Sequence, residues 1–109
     1  MDIAFKEISP SDQIMIRTQN SEYRFSVINP EERRGSLTGG SLGNQQREAV
    51  LAGVLSGGTN NFASDVSGLK TGSRAIFYLT AQNGVERLIT SIITGLRRTE
   101  SGEKHREAA

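Results

Sequence analysis

Cysteine and tryptophan are absent from this chain, and there are only two prolines and one histidine. Without cysteine there is no disulfide framework, no thiolate nucleophile and no cysteine metal site. The single histidine, His105, stands close to the last residue. A Ser-His-Asp triad or a histidine metal cluster would therefore need a second chain to complete it. An excess of one charge is also missing, with thirteen Lys and Arg against twelve Asp and Glu. The body before Arg97 carries nine of each and is neutral. Dedicated nucleic-acid domains carry a basic excess that displaces counterions from phosphates, so nucleic acid is not the expected partner. Long apolar runs are lacking too, and Met1 to Glu7 has no basic segment followed by an apolar one. Neither a membrane span nor a signal peptide is expected, which leaves a cytoplasmic location by elimination.

The 109 residues suffice for one domain, and the 35% hydrophobic content with twelve glycines is normal for a globular chain. Its six aromatics are Phe5, Tyr23, Phe25, Phe62, Phe77 and Tyr78, so the core must be mainly aliphatic. A core of this size stabilises a monomer only modestly, and a subunit interface would add to it.

Two segments have the pattern of β-hairpins. From Gln13 to Ile28, a two-residue turn at Asn20-Ser21 would pair Thr18 with Tyr23, Ile16 with Phe25 and Ile14 with Val27. Ile14, Ile16, Tyr23, Phe25 and Val27 then share an apolar face, and Met15, Arg17, Arg24 and Ser26 a polar one. The second hairpin turns at Asn83-Gly84, residues that tolerate the positive φ of a type I′ turn, and pairs Leu79 with Leu88 and Tyr78 with Ile89. One face carries Phe77, Leu79, Leu88 and Ile92. The other carries Ile76, Tyr78, Ile89 and Ile93, and it needs a cover that a second copy of the chain would supply.

Ile3 to Ile8 alternates as a strand. Glu48 to Leu55 has helical spacing at Val50, Leu51, Val54 and Leu55, yet Gly53 and two valines favour a strand. A short helix near 45–55 is the alternative. Gly57 to Asn61 reads as a loop and Gly68 to Ser73 as a turn. Residues 1–96 form the expected domain, and 97–109 a charged, aperiodic tail.

The glycine-rich stretch Arg33 to Gly43 invites comparison with anion-binding loops, because glycine frees backbone N–H groups to converge. Neither G-x-x-x-x-G-K-[ST] nor the dinucleotide fingerprint is present, and a bent or bulged strand is the preferred reading of Gly39-Gly40. The hairpin register sets Arg17 opposite Arg24. Such a like-charged pair is tolerable when solvated, matched by an acid or bridged by an anion. Arg17, Arg24, Arg33, Arg34, Gly39 and Gly40 are thus the candidate anion-binding set, and Arg47 would extend it. Glu31-Glu32 follows Pro30 in a turn and reads as solvent-facing. No catalytic residue, metal ligand or cofactor motif is selected, and the chain reads as no enzyme.

Two resemblances bear on the fold. Gly68 to Phe77 is similar to the L-x-x-G-x-x-x-x-F lead-in to a strand of cold-shock-type barrels, but the aromatic RNA-binding motifs of that family are missing. Asn20-Ser21-Glu22-Tyr23-Arg24-Phe25, Pro30 and Arg34-Gly35-Ser36-Leu37-Thr38-Gly39-Gly40 together resemble a group of small uncharacterised bacterial β-barrel proteins, over Ile14 to Ile93. That resemblance implies a barrel and no activity. The expected fold is an all-β barrel or barrel-like sandwich of six or seven strands, SH3-like or OB-like in outline. The expected function is a non-enzymatic interaction module that forms a homodimer through Ile76, Tyr78, Ile89 and Ile93. The alternative is binding of a phosphate-bearing small molecule or nucleic acid by the arginine and glycine set.

Overall fold

The computed structural model describes residues 2–56, 64–65 and 68–99. The expected loop at Gly57 to Asn61 and the tail from residue 100, with His105, lie outside them. The described residues form ten strands: β1 (Asp2–Ala4), β2 (Gln13–Thr18), β3 (Glu22–Asn29), β4 (Arg34–Gly39), β5 (Arg47–Ser56), β6 (Ser64–Asp65), β7 (Gly68–Lys70), β8 (Ser73–Ala81), β9 (Gly84–Ile89) and β10 (Ile93–Thr99). Seven make one antiparallel path in the order β10-β2-β3-β4-β5-β8-β9, with β6 added beside β5, and β1 pairs separately with β7.

The main sheet curls but does not close. Its two edge strands, β9 and β10, are consecutive in the chain, and the connection through Thr90, Ser91 and Ile92 carries β10 across to the far edge beside β2. At this corner Thr90 N donates to Ala75 O of β8 at 3.0 Å, and Gly72 N, just before β8, donates to Ile93 O at the start of β10 at 2.9 Å; neither bond joins β9 to β10. No strand ladder joins them, so the expected barrel is realised only as an open, sandwich-like all-β fold.

The sorting of side chains follows from strand alternation. Ile14, Ile16, Phe25, Leu37, Leu51 and Phe77 are fully buried on the concave face, and the Phe25 and Phe77 rings lie 5.4 Å apart at 57°. That tilted geometry suits the quadrupoles of two aromatic rings. The β1–β7 pair adds Ile3 and Leu69 to the same core, with Phe5 and Ile8 from the segment that follows β1. The expected strand Ile3 to Ile8 stops at Ala4. Phe5–Glu7 is a 3-10 turn, in which Ala4 N donates to Glu7 Oε1 at 3.2 Å.

Both hairpins turn one residue earlier than expected. In the first, Arg17 pairs with Glu22 and Ile14 with Phe25, leaving Gln19-Asn20 as the turn. Thr18 decides this: its hydroxyl donates to Ser21 O and accepts Ser21 N, both at 3.1 Å. Gln19 N also donates to Ile92 O, and Asn20 N to the Ser91 hydroxyl, tying the turn to the β9–β10 corner. In the second, Phe77 pairs with Leu88 and Ala81 with Gly84. Gly84, at φ 135°, opens β9, whereas Gln82 and Asn83 keep negative φ, so no type I′ turn forms. Each slip moves the cross-strand pairing by two residues. The strand period is also two, so the side chains of β2, β3, β8 and β9 stay on their expected faces.

Residues 45–55 contain no helix. β5 runs from Arg47 to Ser56 and bulges between Leu51 and Gly53, where Gly53 has φ 155°. The glycine that opposed a helix is the residue at which this strand bends. At the other end, β10 continues through Arg97 and Arg98 to Thr99, past the boundary expected at residue 97. Asp12, 1% exposed, anchors that extension: its Oδ2 accepts Ser9 N at 2.8 Å and lies 3.4 Å from Arg98 Nη1.

Candidate functional site

The candidate arginines separate into three environments. Arg17 lies across from Glu22 rather than Arg24, and the two form an exposed ion pair at 3.3 Å. The like-charged pair is therefore absent, because the turn has moved. Arg24 sits opposite Met15, whose other cross-strand neighbour is Arg97, so Arg24 and Arg97 flank a methionine on the convex face of β3, β2 and β10. Arg24 Nε donates to the Met15 sulfur at 3.4 Å, and neither arginine has an acidic partner among the described residues.

Arg34 is also on the convex face, four positions along β4 from the residue that pairs with Arg24, or ~13 Å at strand rise. It is committed to carboxylates: Glu32 in close contact and Glu48 at 3.8 Å. Arg47 is occupied as well, donating to Thr80 O at 2.9 Å and to Glu86 at 3.0 Å. These five arginines do not converge with Arg33 into one patch.

Gly39 and Gly40 serve packing. Both have positive φ, at 102° and 53°. A Cβ on Gly40 would fall 2.3 Å from the Tyr23 ring, and one on Gly39 2.2 Å from Glu22 O. Two of the N–H groups that a cradle would use are already donating within the loop: Gly39 N to Gly43 O at 2.9 Å and Gly43 N to Gly40 O at 3.2 Å.

Arg33 stands apart from the rest. Asn29 Oδ1 accepts the N–H groups of Glu31 and Glu32 at 3.1 and 3.3 Å, and Arg33 N donates to Pro30 O at 3.2 Å. This tight turn holds Arg33 at φ 55°, a left-handed conformation that costs a residue with a Cβ about 1–2 kcal/mol. The side chain is fixed at two points. Its Nε donates to Leu51 O at 2.8 Å, beside the β5 bulge, and its guanidinium lies 5.0 Å over the Phe5 ring. The terminal nitrogens have no partner among the described residues. Arg33 and Phe5 line a cleft of about 640 Å³ between the β1–β7 pair and the Pro30 turn.

The expected interface residues divide. Ile76, Tyr78 and Ile89 share the convex face, with Ile76 opposite Ile89 and Tyr78 between Val50 and Arg87. Ile93 does not belong with them. It starts β10 after the corner and is 1% exposed in the core, because the chain leaves β9 at Ile89 instead of continuing the hairpin to Thr94. Val85, two positions before Arg87 on the same face of β9, joins the patch instead. Val85, Tyr78 and Ile89 are 68%, 42% and 40% exposed. Nothing in the local sequence separates Val85 from a solvated edge residue; only the register puts it beside Tyr78.

Among the described residues, no three or more His, Asp or Glu side chains gather where a metal ion could sit. No helix there is long and apolar enough to cross a membrane. Comparison of the chain with family models, with curated proteins and with solved structures yields no match.

Proposed function

We propose that this chain is a non-enzymatic interaction module that self-associates through the convex face of β5, β8 and β9. The observation that carries the reading is the exposure of Tyr78, Ile89 and Val85 on one face of adjoining strands, grouped around Arg87, which pairs with Tyr78. Half-buried Ile76, opposite Ile89, and Val50, opposite Tyr78 on β5, extend the apolar surface. The rim is charged on the β4–β5 side, with Arg34 and Glu48 beside Val50. An apolar centre within a polar rim is the anatomy of a protein interface.

Sedimentation velocity across micromolar concentrations tests this. The expected result is a monomer–dimer equilibrium that Tyr78→Arg and Ile89→Asp displace to monomer without lowering the melting temperature of the monomer. A wild-type chain that stays monomeric up to 100 µM, on the order of what an interface of ~800 Å² per partner should exceed, removes the proposal.

A further inference from the structure

We infer that the Arg33 cleft is a binding site for a small molecule carrying one anionic group, a carboxylate or a phosphate ester, on an apolar body. Its volume of about 640 Å³ is in the range of small-molecule sites, which are mostly apolar with a few fixed polar groups. Ile3, Phe5 and Pro30 supply the apolar wall. Arg33 supplies the fixed polar group, and three features distinguish it from a surface arginine.

Its backbone is held at φ 55° by a turn that a glycine would occupy without strain. Its Nε is spent on Leu51 O and its plane rests near the Phe5 ring, so the guanidinium is positioned before any ligand arrives. The two terminal nitrogens keep their donors, in the fork that matches a carboxylate or phosphate oxygen pair. A guanidinium already immobilised loses little entropy when it binds.

The charges around the cleft select a single negative group. Asp2 and Lys70 are register partners in the β1–β7 ladder. The cleft lining as a whole carries Lys6, Arg33 and Lys70 against Asp2 and Glu31, a surplus of one positive charge. A polyanion would meet the two carboxylates, while a neutral apolar molecule would leave the fork unused. This inference rests on the cleft alone and is independent of self-association.

The test is a titration of the ¹⁵N-labelled full chain with octanoate, octyl phosphate and octanol, read on backbone amides and on the arginine Nε–H signals. Either anion should give saturable shifts centred on Arg33, Phe5 and Lys6, and the comparison of octanoate with octyl phosphate tells which head group the fork prefers. Octanol should bind at least ten-fold more weakly. Because Arg33→Ala also removes the bond to Leu51 and could unfold the turn, Lys6→Ala serves as the second variant. It should weaken anion binding about three-fold with the melting temperature unchanged. The inference is overturned if no anion gives a saturable shift by 10 mM, if octanol binds as tightly as octanoate, or if the shifts centre on Arg24 and Arg97.

Discussion

Gly35→Ala should be among the most damaging single-methyl additions in this protein, and its magnitude follows from the sheet. Gly35 lies mid-sheet in β4, paired with Val27 on one side and Ala49 on the other. A Cβ there would stand 2.1 Å from Ser26 O, 2.9 Å from the Ser26 carbonyl carbon and 3.0 Å from the Phe25 ring. The first two obstacles are backbone, so no rotamer change relieves them, and β3 and β4 must separate. Overpacking of this kind costs about 1–3 kcal/mol. Each ladder hydrogen bond weakened by the separation adds about 0.5–1.5 kcal/mol. The lower chain entropy of unfolded alanine returns about 0.4–1 kcal/mol. With one or two bonds weakened, mid-range values net to a loss of about 2–3 kcal/mol, or a melting temperature lower by roughly 10–15 °C in a domain of this size. Gly95→Ala is the control: the nearest atom to its Cβ is Arg17 Cβ at 3.8 Å, and its φ is ordinary. That variant should melt within a few degrees of the parent or slightly above it. Calorimetry decides, and a Gly35→Ala protein melting within about 3 °C of the parent would refute the packing argument.

Two further perturbations address polar groups in the core. Thr90 is 2% exposed; its hydroxyl accepts Ala75 N at 3.0 Å and donates to Ser91 O at 2.8 Å, fastening β8 to the corner. Thr90→Val keeps the shape and strands a buried N–H, so urea denaturation should show a loss of about 1–3 kcal/mol, and an unchanged midpoint would contradict this. Asp12→Ala removes the acceptor of Ser9 N and leaves Arg98 without that carboxylate, for an expected loss of about 2–4 kcal/mol. Asp12→Asn, which can still accept Ser9 N, should lose less than half as much in the same assay.

Much of the fold was legible because strands impose a period of two. Alternation in Gln13 to Thr18 and Glu22 to Ile28 sorted Ile14, Ile16, Tyr23, Phe25 and Val27 inward, and all five are buried. Gly53 and the valines around it identified β5 against a helix. Registers were less legible. Asn-Ser and Asn-Gly are good turn dipeptides, but the Thr18 hydroxyl and bonds from the β9–β10 corner moved the first turn by one residue. The Thr18–Ser21 bonds are local, but the corner bonds come from segments more than seventy positions away, and no local pattern encodes those.

What the sequence by itself determined is the two-faced character of β2, β3 and β8, and a residue inventory with no cysteine and one histidine. These depend only on residue type and strand period, which survive any slip of two. Tertiary structure alone decided which residues meet. It gave Arg17 a carboxylate instead of a second arginine, buried Ile93 by sending β10 to the opposite edge, and left the sheet open. It also set Arg33 on Phe5 across twenty-eight positions of chain, which no spacing rule anticipates. The physical reason is that cross-strand and cross-sheet neighbours are fixed by where the chain reverses, and those reversals depend on hydrogen bonds to segments far away in sequence.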